Sequence, residues 1–181
     1  MNKKLSVIAL VAPLAFAALQ AQAADTVASG SNTASSSATI IRPVTVANGG
    51  ALAFGTIIRP STGTTTYAVA AADAARSVNG SDGLYLASTS STNASFTITG
   101  EGGYAITVAI PATFSLTDSS SNSLTVTTSN DMTGAAGSQA LSGSLGAAGN
   151  LTVKVGGSVP VTSTTATGTY SGSFALTATY N

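Results

Sequence analysis

The stretch GTYSGSFALTATYN, residues 168–181, decides how the chain is read. Gly168, Tyr170, Gly172, Phe174, Leu176, Ala178 and Tyr180 take every second position. Thr169, Ser171, Ser173, Ala175, Thr177, Thr179 and Asn181 fill the places between. Successive side chains of a strand point to opposite faces, so this spacing predicts one strand with an apolar face and a polar face. It runs up to the chain end. Termini are loose unless something ties them down, so a pairing partner is expected here, and the expected partner is another protein.

Working back from this strand, short alternating runs separated by turn residues predict an all-β sandwich. The first strand is expected over Ile40–Ala47, with Val44 and Val46 on one face and Pro43 marking an edge or a strand start. Asn48-Gly49 reads as a hairpin turn, followed by a strand over Ala51–Ile58 in which Gly55 marks a bulge. Further strands are expected at Thr64–Ala71, Leu84–Ala87, Ala94–Thr99, Tyr104–Ile110, Phe114–Thr117 and Leu124–Thr128. Residues 70–76 stay open between helix and turn. Turns are expected at residues 79–83, at Gly100–Gly103 and at both copies of Gly-Ala-Ala-Gly, 134–137 and 146–149. Leu151, Val153 and Val155 predict a strand, Gly156-Gly157 a turn, and Val159 and Val161 a short strand. Nine to ten strands suit an immunoglobulin-like sandwich. An eight-stranded membrane barrel is disfavoured, because a lipid-facing wall needs large apolar residues and aromatic girdles, while aromatics are 6% of this chain with no Trp.

The first residues carry an export pattern. Lys3 and Lys4 precede an apolar run, Leu5–Leu19, and Ala21-Gln22-Ala23 has the small-x-small form of a cleavage site. The expected organisation is a signal peptide over 1–23, an N-terminal extension over 24–39 and one domain over 40–181. The expected route is export across a membrane. After cleavage, four basic residues (Arg42, Arg59, Arg76, Lys154) face six acidic ones (Asp25, Asp73, Asp82, Glu101, Asp118, Asp131), a net charge of −2. With no basic patch, nucleic acid is not an expected partner.

The chain has neither Cys nor His. Thiol nucleophiles, imidazole bases and the usual transition-metal ligands are therefore missing. The carboxylates are scattered through turn-like segments, where Asp bonds to local backbone. The expectation is a non-enzyme with no catalytic residues, no metal and no cofactor. The Asn-x-Ser/Thr triplets at Asn79, Asn93 and Asn150 carry no weight in so Ser/Thr-rich a chain, and Lys154 reads as a surface charge.

Gly168, fourteenth from the end, the alternation through Phe174, Leu176 and Ala178, and the penultimate Tyr180 together resemble the C-terminal signature of chaperone–usher pilus subunits. Leu52-Ala-Phe-Gly-Thr-Ile57, after a Pro-containing first strand, resembles the start of such domains. The absence of Cys and the Gly-Thr-Tyr at 168–170 are closer to the archaic, spore-coat-like branch and its secreted relatives. The firm motif covers only the last fourteen residues.

The resemblance implies an incomplete immunoglobulin-like fold that lacks its final strand. A periplasmic chaperone lends one, pairing with Gly168, Tyr170, Gly172, Phe174, Leu176, Ala178, Tyr180 and Asn181. After passage through an outer-membrane usher, the extension of a neighbouring copy replaces it in a fibre that serves adhesion or biofilm. The physics agrees: each large side chain left wet forgoes ~1.5–3 kcal/mol, and strand addition repairs both the open groove and the unpaired edge.

Residues 24–39 are a poor donor, however, since one register presents Ala24, Thr26, Ala28, Gly30, Asn32, Ala34, Ser36 and Ala38, and the other Asp25, Val27, Ser29 and Ser31. Three alternatives stay open. The C-terminal stripe can be an ordinary core strand of a complete sandwich. The chain can be a self-contained secreted adhesin or carbohydrate-binding sandwich. Its small, polar, uncharged composition also fits a functional amyloid, although its strands do not repeat.

Overall fold

The computed structural model describes residues 31–80, 82–133 and 138–181. The signal peptide, its cleavage site, the first part of the extension, the 134–137 tetrapeptide and position 81 of the 79–83 turn lie outside them. Residues 31–38 are exposed and belong to no strand. Residues Thr39–Asn181 form a separate unit.

That unit is an all-β sandwich of twelve strands among the described residues. They are β1 (Thr45–Gly50), β2 (Ile57–Ile58), β3 (Thr64–Val69), β4 (Arg76–Asn79), β5 (Leu84–Tyr85) and β6 (Ala94–Glu101). They continue as β7 (Ala105–Ala109), β8 (Thr113–Thr117), β9 (Ser123–Asn130), β10 (Gln139–Ala140), β11 (Ala148–Thr162) and β12 (Thr177–Tyr180). The larger sheet runs β1-β6-β11-β3-β4, with β9 also on β11 and β8 on β9. A second sheet is β10-β7-β12, and β2 pairs with β5. All the ladders are antiparallel.

β11 organises the molecule. Its first half pairs with β6 from Ala148↔Glu101 to Val155↔Ala94, and its second half pairs with β3 from Gly157↔Val69 to Thr162↔Thr64. Residues of one parity share a face. Val153 and Val155 therefore bury into one apolar cluster, with Phe96, Ile98, Ile106, Val108, Leu141 and Leu176, while Val159 and Val161 bury into a second, with Phe54, Tyr67, Val69 and Val126. Leu52 packs against both clusters.

Several expectations are corrected. Gly156-Gly157 is no turn but the middle of β11: a Cβ on Gly156 would lie 2.2 Å from the Val69 carbonyl oxygen, and one on Gly157 2.8 Å from Val126. The glycines are there for close strand approach. Asn48-Gly49 is no hairpin either. It lies inside β1, where Gly49 is the extra residue of a bulge between Asn48↔Phe96 and Gly50↔Ser95, and the Asn48 side chain accepts the Gly50 amide at 2.9 Å. The first strand begins at Thr45; Val46 is exposed and only Val44 packs on the core.

The expected strand over Ala51–Ile58 is reduced to an Ala53↔Thr92 bridge and β2. Between them Gly55 has φ +74°, in the left-handed region, and the Ser90 carbonyl stands 2.8 Å from where its Cβ would be. Residues 71–73 form a turn rather than helix. β6 continues through Glu101, so the reversal falls at Gly102-Gly103.

The largest correction concerns the final segment. Its alternation survives as burial, with Tyr170, Phe174, Leu176, Ala178 and Tyr180 turned in and the residues between them exposed. Its ladder does not. Only Thr177–Tyr180 pairs with β7, Ser171 makes a single bridge to Thr117 of β8, and residues 172–176 belong to no ladder. The segment leaves the edge of one sheet and reaches the other, so no one strand accompanies it along its length.

Candidate functional site

The C-terminal segment is one wall of an open groove of about 870 Å³. Residues 165–174 form this wall and residues 48–57 the facing one; Ala94, Phe96, Phe114, Leu116, Val159 and Val161 contribute apolar lining. The walls run antiparallel. At one end the Arg59 guanidinium donates to the Thr165 carbonyl at 2.8 Å. At the other, the Phe174 ring lies against Phe96, whose ladder partner is Asn48.

Among the described residues, each paired segment of wall 48–57 has one ladder neighbour. Ala53 exchanges two hydrogen bonds with Thr92, and Ile57 and Ile58 pair with β5. Wall 165–174 has the Ser171–Thr117 bridge. Two edges with ladder groups to offer therefore flank an apolar channel, in a fold where voids larger than a water are few.

The sequence-predicted residues divide between this groove and the second sheet. Gly168 is exposed at the rim, with the Asp118 side chain 3.5 Å from where a Cβ would be. Tyr170 lines the groove and donates its hydroxyl to the Ala166 carbonyl at 2.9 Å. Gly172 sits on the Ser115 carbonyl, 2.2 Å from where a Cβ would be, so no other residue fits without displacing the wall. Phe174 stacks at 4.8 Å on Phe114 and meets Phe96 edge-on at 5.8 Å.

The rest are away from the groove. Leu176 is core, Ala178 pairs with Val108, and the Tyr180 hydroxyl donates to the Arg42 carbonyl at 2.9 Å and accepts the Glu101 amide at 2.5 Å. Asn181 donates its amide to the Ala105 carbonyl, and Thr107 donates its hydroxyl to the Asn181 side chain.

Sequence reasoning missed Leu52, Phe54, Arg59, Phe114 and Leu116 as groove residues. Each lies in an apolar or turn run that looks like any other until the walls are assembled.

Among the described residues lining the groove, Arg59 alone is charged. The nearby Asp118 is committed to its own turn: it accepts the Asn122 side chain and the Ser120 and Asn122 amides, which hold its carboxyl below the ordinary range. Asp82 is held low in the same way, chiefly by the Ser61 hydroxyl, then by the Ser61 and Thr62 amides. No group of three potential metal ligands stands together among the described residues. The groove offers backbone ladders and apolar contact, which suits an extended peptide.

Residues 44–180 match the DUF4402 family, described as a domain of unknown function. The chain belongs to this family. The match begins just before β1 and ends at Tyr180, so the groove and the C-terminal segment are part of the DUF4402 domain itself. No curated protein and no solved structure matches the chain.

Proposed function

We propose that this protein is an exported structural subunit of a bacterial surface fibre, whose immunoglobulin-like sandwich is completed by a strand from another polypeptide. The single observation that carries the proposal is the 870 Å³ groove between two edges that still have ladder groups to offer. A periplasmic chaperone fills it first. At an outer-membrane usher, residues 24–38 of a neighbouring copy replace the chaperone strand, and the fibre serves adhesion or biofilm.

Length supports this occupant. At ~3.3 Å per residue the wall Thr165–Phe174 spans at most roughly 30 Å, which residues 24–38 are long enough to cross. Their small side chains bury little, so ladder hydrogen bonds at ~0.5–1.5 kcal/mol each supply most of the attachment.

One observation favours the self-contained adhesin instead: β12 is already paired with β7 and its end is pinned at Tyr180. Expression separates the two readings. The mature chain made alone in a periplasm is expected to be degraded or to polymerise, and a co-produced chaperone to rescue it as a complex. Deleting Ala24–Ala38 is expected to abolish fibres while leaving chaperone binding intact. A soluble, cooperatively folding monomer that takes up no strand overturns the proposal.

A further inference from the structure

Beyond the groove, its walls converge on one buried carboxylate. Glu101, at the end of β6, has a side chain only 2% exposed. Its Oε2 accepts the Arg42 guanidinium at 2.8 Å and the Arg42 amide at 3.2 Å, and its Oε1 accepts the Gly146 amide. The second guanidinium nitrogen of Arg42 donates to the Gly146 carbonyl at 3.1 Å. The Tyr180 hydroxyl bridges the Arg42 carbonyl and the Glu101 amide. Gly100 makes this approach possible, since a Cβ there would stand 2.3 Å from that hydroxyl. A charge taken out of water persists only when it is fully paired, as this one is.

The position of this cluster matters. Wall 48–57 continues back through β1 to Arg42, and wall 165–174 continues forward through β12 to Tyr180. The walls are thus tied at both ends, but unequally. One tie is the Arg42–Glu101–Tyr180 network, closed around the buried Glu101 carboxylate with Arg42 half exposed; across the other end the walls share an exposed bond from Arg59 to the Thr165 carbonyl, Thr165 itself being held to Thr162 at the end of β11. An exposed bond of that kind contributes little, whereas removing one member of a network around a buried carboxylate strands its partners.

We infer that Arg42, Glu101 and Tyr180 form a fixed anchor, so that the groove opens from the Arg59 end alone. An incoming strand therefore engages first beside Arg59 and Thr165 and advances toward Phe174. The inference rests on the strand-accepting reading of the groove.

Hydrogen exchange on the mature chain without any partner tests it. Glu101→Gln and Tyr180→Phe are expected to speed exchange at residues 42–48 and 177–181 by about tenfold or more, leaving 165–171 unchanged. Arg59→Ala is expected to speed 165–171 by only about twofold and to spare 177–181. Tyr180→Phe keeps the ring and its contact with Tyr104, so the test survives if Glu101→Gln fails to fold. The anchor is overturned if Tyr180→Phe leaves 177–181 at the wild-type rate, or if Arg59→Ala loosens both regions equally. Uptake of a synthetic 24–38 peptide by the wild type is scored separately. Its absence overturns the strand-accepting reading, while the exchange pattern alone decides the anchor.

Discussion

The two halves of the C-terminal segment carry the same alternating pattern and live in different surroundings. Residues 176–181 are seated: Leu176 is in the core, Thr177–Tyr180 form a ladder with β7, and Tyr180 joins the network around the buried Glu101. Residues 165–174 pair with the sheet through one bridge, pack on it through the Phe174 ring, and otherwise wall an open channel. The contrast teaches that alternation specifies which side chains turn inward, not whether a neighbouring strand is present to pair with the backbone. Among the described residues, half of the segment is left without a ladder and faces the groove.

The sharpest way to test the contrast is to damage the seated half. Leu176→Ala is expected to destabilise the domain by roughly 2–5 kcal/mol in denaturant unfolding, the range for a leucine deleted from a packed core. Phe174→Ala, whose ring is partly exposed, is expected to cost no more than roughly half of that. Equal losses at both positions would erase the distinction between the halves.

Gly172→Ala attacks the groove half next to its one bridge. The new methyl meets the Ser115 carbonyl, and a forced contact of this kind costs roughly 1–3 kcal/mol. Loss of amide protection at Thr117 and Ser171, with β12 still protected, would locate the damage on the groove side.

Acid acts next, and chiefly on the seated half. Glu101 is held below its ordinary value of 4.5 first by the Gly146 amide and then by Arg42; the other titratable group in contact is Tyr180, with Tyr104 behind it. Its folded value is depressed, so the unfolded chain takes up the proton first. The stability it contributes is present above pH 4.5 and is lost as pH falls through the lower folded value. Asp82 and Asp118 act in the same direction, from ordinary values of 3.8. Denaturation midpoints are therefore expected to fall as pH drops below this range, and Glu101→Gln to flatten the first part of that fall. A midpoint unchanged between neutral pH and pH 3 contradicts the network.

The smallest effect belongs to the groove mouth. Arg59→Ala is expected to change stability by no more than about 0.5 kcal/mol. A larger loss would mean that the mouth, too, is pinned.

Much of the strand rhythm was legible. Thr64–Val69, Ala105–Ala109, Thr113–Thr117 and the Leu124–Thr128 run of β9 appear where period-two spacing places them. The glycines misled. Asn48-Gly49 and Gly156-Gly157 look locally like turns, yet both lie within strands: the first as a bulge, the second because a facing backbone leaves no space for a side chain. Nothing local distinguishes a glycine needed for its φ from one needed for its missing Cβ. Glu101 was hidden for a similar reason. Among Gly100, Gly102 and Gly103 it reads as a solvated turn carboxylate, and the arginine that buries it stands 59 positions away.

The amino-acid order by itself determined an all-β chain with two-faced strands and an inward row from Tyr170 to Tyr180, because side-chain alternation is a property of the extended backbone. Only the tertiary structure decided which of those residues are paired and which wall a channel. Pairing requires a second strand at ladder distance, and its presence depends on how distant segments such as 48–57, β7 and β11 come together.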